Sequence, residues 1–465
     1  MKRMATPFII GSLGLVFTAS TCHAQMYRIT DLGSLSGSGN RPSGINNLGQ
    51  VVGASGGHAF RTAPNSPINP ATDDLGTLGG MLNSEASAIN ASGQVVGYSF
   101  TDYATSHSFR TAPNSPINPA TDDIGTLGGA FTQAYGINDS GQVVGCSGER
   151  FHCHAFRTAP NTPINAATDD VSIGFENAAA YGINASGQVV GNSSLGAGCF
   201  RTAPNSPINP ATDDLGPLGF GWGCRAFAIN ASGQVVGLYA NKRFFGDGVH
   251  AFRTAPDSPI NPATDDLGTF GGPVTQALGI NATGEVVGFS ESVNGCCFFS
   301  SSAFIYSNGV MHDLNKLIPA GSGWNLTEAT GINDAGQIVG LGVPNGFLLT
   351  PIYKALVRPP INADGSSVFH ANRGVLPVKF RLTQDDVPTC ALPPATITVT
   401  RTAGGTVGSI DESIYSTQAD SGSNFRSDSC QYMYHLAASS LGVGTYRVDI
   451  SIEGIPVGHA VFALE

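Results

Sequence analysis

The sequence predicts an all-β chain: a seven-bladed β-propeller of four-stranded antiparallel blades, followed by a small immunoglobulin-like β-sandwich. Three observations carry this. The phrase Gly-Ile-Asn-Ala-Ser-Gly-Gln-Val-Val-Gly, or a close variant, returns seven times, starting at Gly44, Ala88, Gly136, Gly182, Ala228, Gly279 and Gly331. Successive starts lie 44, 48, 46, 46, 51 and 52 residues apart, a supersecondary period that suits a four-stranded blade. The composition agrees, because 61 Gly and 28 Pro with no apolar stripe at helical spacing belong to a turn-rich β chain.

In chain order, Lys2 and Arg3 precede an apolar run from Pro7 to Phe17 and small or polar residues to Ala24. This is the pattern of a secretory signal peptide, residues 1–24, cut after Ala24. A lipoprotein reading would lipidate Cys22, but Ala19-Ser20-Thr21 lacks the expected aliphatic residue. No later stretch reaches the ~18 consecutive apolar residues of a membrane helix. The mature chain of 441 residues is therefore expected to be soluble, not inserted in a membrane, and extracellular or periplasmic. Losing Lys2 and Arg3 takes the formal charge from −11 to −13, which argues against nucleic acid and anionic membranes as partners. A monomer is expected.

From residue 25 to 353 three phrases rotate in fixed order. An Asp-Leu phrase (Asp31-Leu32, Asp74-Leu75, Asp123-Ile124, Asp170-Val171, Asp214-Leu215, Asp266-Leu267, Asp313-Leu314) is followed by the hairpin phrase. A His-Ala-Phe phrase comes third, plain at His58, His154 and His250 and altered at His107-Ser108-Phe109, Cys199-Phe200, Ala303-Phe304 and Gly346-Phe347. Within the hairpin phrase, Ile-Asn ends one strand, Asn-x-Ser-Gly makes a turn with Gly in the left-handed position, and Gln-Val-Val starts the return strand. Naming the strands a (to Ile-Asn), b (Val-Val), c (Ala-Phe) and d (Asp-Leu), the sixth unit sets their order. Its Asn308-Gly309 joins c to d by a short hairpin, so each unit is an a-b-c-d meander. The chain begins with a d phrase, Tyr27 to Leu35, and ends the repeats on a c strand. The first strand is thus expected to complete the last blade. An open stack or solenoid is the competing reading, and it would leave edges and call for distinct capping repeats.

Taken together, the three phrases resemble the extracellular HAF repeat proteins, over roughly residues 27–350. The resemblance implies an exported bacterial protein and no particular molecular activity. This chain departs from the short family hairpin by inserting a near-identical segment after the Phe, from Arg61, Arg110, Arg157, Arg201 and Arg253. Residues 354–365, with Pro359-Pro360, read as a linker. Residues 366–465 hold alternating segments suited to a sandwich, and Leu376-Pro377-Val378-Lys379-Phe380 resembles the PxKF domain of secreted bacterial proteins.

Eight cysteines remain after processing, and in an exported protein an even number favours disulfides. Cys390 and Cys430 are expected to pair, as are Cys146 and Cys153 across one loop. Cys199 with Cys224 is a further candidate pair whose assignment stays open, and Cys296 and Cys297 stay unassigned. No cofactor or metal is expected. Cys146, His152, Cys153 and His154 are the alternative metal set, which a disulfide would remove. Gly53-Ala54-Ser55-Gly56-Gly57 has the letters of a nucleophile elbow but lies between strands. The sequons at Asn90, Asn138, Asn184, Asn230 and Asn281 follow from turn chemistry. Doubled aspartates such as Asp73-Asp74 beside Arg61 read as exposed ion pairs rather than calcium ligands.

In a meander the a-to-b and c-to-d turns share one side, and the b-to-c and d-to-a loops share the other. The first side is monotonous. The second differs in every unit and carries the candidate ligand-binding residues Tyr103, Arg150, Phe151, Trp222, Lys242, Arg243, Phe244, Phe245 and Trp324. Aromatics beside Arg or Lys are common anchors for sugars and proteins, and they serve equally as loop packing. The function expected is non-catalytic binding of an extracellular glycan or surface protein. The alternatives are a propeller-based glycosidase or lyase and a purely structural envelope or matrix protein. A convincing repeated Asp-box with Trp and any clustered acid/base set are missing from the sequence, which disfavours the enzyme.

Overall fold

The structure is a computed structural model describing residues 26–465 except 80–82, 103–104, 150–151, 173–176, 194–197, 217–222, 241–247, 295–297, 371–373, 391–392, 405–407, 411–419, 421 and 453. The expected signal segment lies outside the described residues. The fold is all-β, made of antiparallel sheets with, among the described residues, a single parallel strand pair in the C-terminal region and two parallel bridges between repeat units, Ser106 with Phe131 and Val249 with Val274. Among the described residues no helix is long and apolar enough to cross a membrane.

Each ten-residue phrase is a hairpin whose asparagine builds the turn. In the first, Asn46 Oδ1 accepts from the N–H groups of Leu48 and Gln50 at 3.1 and 3.0 Å, and Gly49 takes φ +80°. One amide hydrogen of Asn46 goes to Gln50 Oε1 and the other leaves the unit for the carbonyl of Asn90. The pattern repeats from Asn90 to Asn138, Asn184, Asn230, Asn281 and Asn333, and Asn333 donates back to Asn46, all at 3.0–3.3 Å. These seven buried asparagines form a closed circuit. The five sequon asparagines are among them, so their amides are engaged inside the fold.

The Val-Val pair explains how one unit packs on the next. Successive strand residues face opposite sides of a sheet, and here both sides are covered. Val51 packs with Val339 and Leu348 of the seventh unit, whereas Val52 packs with Ala86 and Val95 of the second. Val95 and Val96, Val143 and Val144, Val189 and Val190, and Val235 and Val236 divide between neighbours in the same way. Each such valine is fully buried, and full burial contributes roughly 1.5–3 kcal/mol per side chain. The glycine that follows, such as Gly53, lies against the a strand so closely that a Cβ would collide with the carbonyl of Arg41.

The first unit is a four-stranded meander of Asn40–Ile45, Val51–Ser55, His58–Arg61 and Asp74–Gly76. In units two to five the d strand shrinks to one bridge, Phe109 to Asp123, Phe156 to Asp170, Phe200 to Asp214 and Phe252 to Asp266. In unit seven it comes from the other end of the chain: Tyr27–Asp31 pairs antiparallel with Gly346–Pro351, Tyr27 opposite Pro351 and Asp31 opposite Phe347.

The inserts run along the outer d edges. The N–H of Ile68, Ile117, Ile164, Ile208 and Ile260 donates to the carbonyl of Leu32, Leu75, Ile124, Val171 and Leu215, each in the preceding unit's d phrase. An edge strand left open invites pairing with another chain, and the insert covers it. Here the reading of Arg61 and Asp73 as an exposed pair is corrected. Asp73 is buried and caps its own insert, accepting from Asn69 N and Thr72 Oγ1 at 2.8 Å. Arg61 Nη1 instead donates to the carbonyl of Ser115 in the next insert, as Arg110 does to Thr162, Arg157 to Ser206 and Arg201 to Ser258, at 2.9–3.1 Å.

Two five-stranded sheets follow the repeats. One contains Tyr353–Arg358, Leu376–Gln384, Val387–Pro388, Arg426–Asp428 and Gln431–Leu436, and the other Ser367–Phe369, Ala395–Ala403, Gly408–Ile410, Gly444–Ile452 and Ile455–Leu464. The expected linker 354–365 is corrected at its start, because Lys354 to Arg358 belong to a strand paired with Leu376–Gln384. Tyr353, Ala355 and Val357 alternate inward onto the core, and the strand ends where Pro359 and Pro360 remove the backbone donors. One apolar cluster joins both sheets, including Phe380, Tyr432, Tyr446 and Phe462, to Val287, Ile305, Phe347 and Leu349 of units six and seven. These are the two units without inserts.

Candidate functional site

The loop side carries a repeated polar pair. His58 Nδ1 meets Asp74 at 2.9 Å, and His107 with Asp123, His154 with Asp170 and His250 with Asp266 do the same at 2.7–2.9 Å. Each aspartate is fixed first by its own turn, as Asp74 Oδ1 accepts from Gly76 N at 2.8 Å. In unit seven Asn345 stands in the histidine's place and donates to Asp31 of the first strand at 3.1 Å. In unit five Tyr239 also donates to Asp266, at 3.0 Å, and burial together with that carboxylate raises the phenol pKa well above its ordinary value.

In unit three this pair borders a cavity of about 290 Å³, lined by Leu127, Gly128, Gly129, Ser147, Glu149, His152, His154 and Asp170. Its walls come from the b-c hairpin Val143–Glu149 and His152–Arg157, in which Glu149 lies opposite His152 and Ser147 opposite His154. A disulfide between Cys146 and Cys153 ties the two strands. The bond takes both cysteines out of the alternative metal set. Buried Ser147 accepts from Leu127 N at 2.9 Å and fixes the d-a connection against the hairpin. With His154 Nδ1 held by Asp170, Nε2 is the ring's remaining polar atom. The hydroxyl of Ser172 donates to Asp170 at 2.7 Å and so caps the turn. The cavity thus offers an imidazole nitrogen, a second imidazole and a carboxylate at one rim, groups that hydrogen-bond hydroxyls and amides.

Of the nine candidate ligand residues, Tyr103, Arg150, Phe151, Trp222, Lys242, Arg243, Phe244 and Phe245 lie outside the described residues. Trp324 is described, half-buried and packed against the cluster shared by units six, seven and the C-terminal sheets. Its ring is core packing at least in part. Ser55 of the GxSxG letters ends a strand, is buried, and accepts from Leu35 N at 2.9 Å, with no strand-to-helix elbow. Glu149 and Asp170 are not among the candidate ligand residues that the sequence offers. The signal was available for Asp170, because all four His-Asp pairs are 16 residues apart.

Disulfides also join Cys199 to Cys224 and Cys390 to Cys430. Cys296 and Cys297 lie outside the described residues.

The sequence matches no protein-family model and no curated protein. Among solved structures it is similar to the plexin A4 full extracellular region, at 7% identity and a TM-score of 0.30, over 95% of this chain and 67% of that one.

Proposed function

We propose that this is an exported, non-catalytic binding protein that takes an extracellular glycan or surface protein through the loop side of a closed seven-bladed propeller. The C-terminal sheets form an immunoglobulin-like sandwich that serves as spacer or second binding module. Support for the closed ring is the circuit of seven asparagines and the pairing of Tyr27–Asp31 with Gly346–Pro351. Support for export is the signal-like N-terminus, the HAF and PxKF resemblances, and three disulfides, which persist in oxidising compartments.

The observation that carries the binding reading is the contrast between the two sides. On the turn side the polar groups of the inserts and hairpins are largely spent on one another. On the loop side a disulfide-braced cavity presents Glu149, His152 and His154 to solvent, in a unit whose loop differs from all the others. A glycan and surface-protein array probed with the full mature chain tests this. Binding that weakens in Glu149→Gln with His152→Ala is the expected result, and an array without a specific ligand counts against it.

A further inference from the structure

A second cleft lies away from the loop side, where unit six lacks an insert. In the five units that have one, its first asparagine or aspartate sits in a constant receptor. Asn65, Asn114, Asn161, Asn205 and Asp257 all take the left-handed conformation, φ +49° to +57°. Their Oδ1 accepts from the preceding unit's glutamine Nε2, from Gln337, Gln50, Gln94, Gln142 and Gln188 respectively, at 2.7–3.1 Å. Their N–H donates to the hairpin glycine carbonyl of their own unit, such as Gly49 at 2.8 Å. In four of the five, the residue after them offers its carbonyl to the preceding unit's arginine: Ser115 to Arg61, Thr162 to Arg110, Ser206 to Arg157 and Ser258 to Arg201.

Unit six keeps this receptor and has no insert to fill it. Gln234 Nε2, which would meet the asparagine, has no hydrogen-bond partner among the described residues, although Gln234 Oε1 accepts from Asn230 at 2.9 Å. Arg253 Nη1, which would meet the following carbonyl, turns to the carbonyl of Gly284 at 2.5 Å. Asn308, in the short hairpin, reaches instead for Ser451 and Gly454 of the C-terminal sheet at 2.9 Å. Between them is a polar cavity of about 390 Å³, bordered by Gln234, Arg253, Gly284, Glu285, Thr398 and Asp449.

We propose that this cleft binds a peptide turn of Pro-Asn-Ser-Pro chemistry presented by another polypeptide, which docks where the missing insert would lie. The amide of Gln234 and the guanidinium of Arg253 donate to the asparagine side-chain oxygen and the next carbonyl, and the Gly284 carbonyl accepts the asparagine N–H. The carboxylates of Glu285 and Asp449 in the same wall favour neutral Asn over Asp. The five inserts of the chain itself are engaged in their own units, so the occupant is a turn from a different protein. The cleft is separate from the unit-three cavity, and the two readings fail independently.

The test is calorimetric titration of the full mature chain with the blocked peptide Thr-Ala-Pro-Asn-Ser-Pro-Ile-Asn. Saturable one-to-one binding is expected, reduced about tenfold or more when the peptide's first Asn is replaced by Leu or when the protein carries Gln234→Glu. Gln234→Glu keeps the oxygen that Asn230 and Ser232 use, and unit six already folds with Glu285 at this position. An unchanged melting curve confirms that the variant is folded. Absence of saturable binding up to about 5 mM peptide, or equal binding by the Leu peptide or by Gln234→Glu, overturns the proposal.

Discussion

Asn333 Nδ2 donates to the carbonyl of Asn46 at 3.0 Å, across 287 positions of sequence. It is the same bond that Asn184 makes to Asn230 over 46 positions. If the circuit is closed, the two must matter equally. Asn333→Leu and Asn184→Leu should each cost about 1–3 kcal/mol, because each leaves buried acceptors unpaired. Urea denaturation checks this, and a neutral Asn333→Leu beside a costly Asn184→Leu would mean that the ends do not meet.

Gly93 sits at φ +80° with its missing Cβ directed at the side chain of Asn114. Gly93→Val should cost about 1 kcal/mol or more from backbone strain alone. Displacement of Asn114 from Gln50 adds to it. The thermal midpoint should fall while ligand binding at the loop side is unchanged.

Glu285 occupies the position that is Gln in the other six units, and burial raises its carboxyl pKa, with Asp449 adding to the rise. A carboxyl whose folded pKa lies above its unfolded value favours folding when protonated, and that contribution is lost as pH rises through the folded pKa. Glu285→Gln should therefore stabilise the protein at pH 7, with a gain that shrinks as pH falls toward the unfolded carboxylate range. Denaturation midpoints of both proteins at several pH values give the sign, and a gain that grows on acidification would refute the assignment.

Cys390 and Cys430 close a loop of 40 residues. Replacing both by Ser should cost roughly 3–4 kcal/mol in the chain-entropy view, less any strain in the native bond. Non-reducing peptide mapping of the exported protein should recover the linked pair, and two free thiols would contradict it.

Much of the architecture was readable because the repeat is so regular. The asparagine-glycine turns, the alternation of Val-Val and the Asn308-Gly309 hairpin each specify a strand pairing locally, and the spare Asp31 phrase found its partner at Phe347. Relations between units were harder to read. The sequence places Arg61 beside Asp73, yet Arg61 bonds Ser115, 54 residues on, because the insert crosses to its neighbour. Tyr353–Arg358 was hidden by the prolines that follow it, although its own alternation is that of a strand. At the loop side the His-Asp spacing was constant and readable, whereas the cavity depends on how Gly129 and Glu149 meet across separate loops, which no local pattern encodes.

The most direct measurement compares the two sides of the molecule against one ligand from the array. The first variant carries Glu149→Gln and His152→Ala on the loop side, together with Lys242→Ser, Arg243→Ser, Phe244→Ala and Phe245→Ala, which the sequence assigns to a b-to-c loop. The second carries Ala63→Glu, Ala112→Glu and Ala159→Glu, at exposed positions of the inserts. Affinity should fall about tenfold or more in the first and stay at the wild-type value in the second, with both melting as the parent does. Normal binding by the loop variant and lost binding by the insert variant would place the ligand on the opposite side and contradict the proposed function.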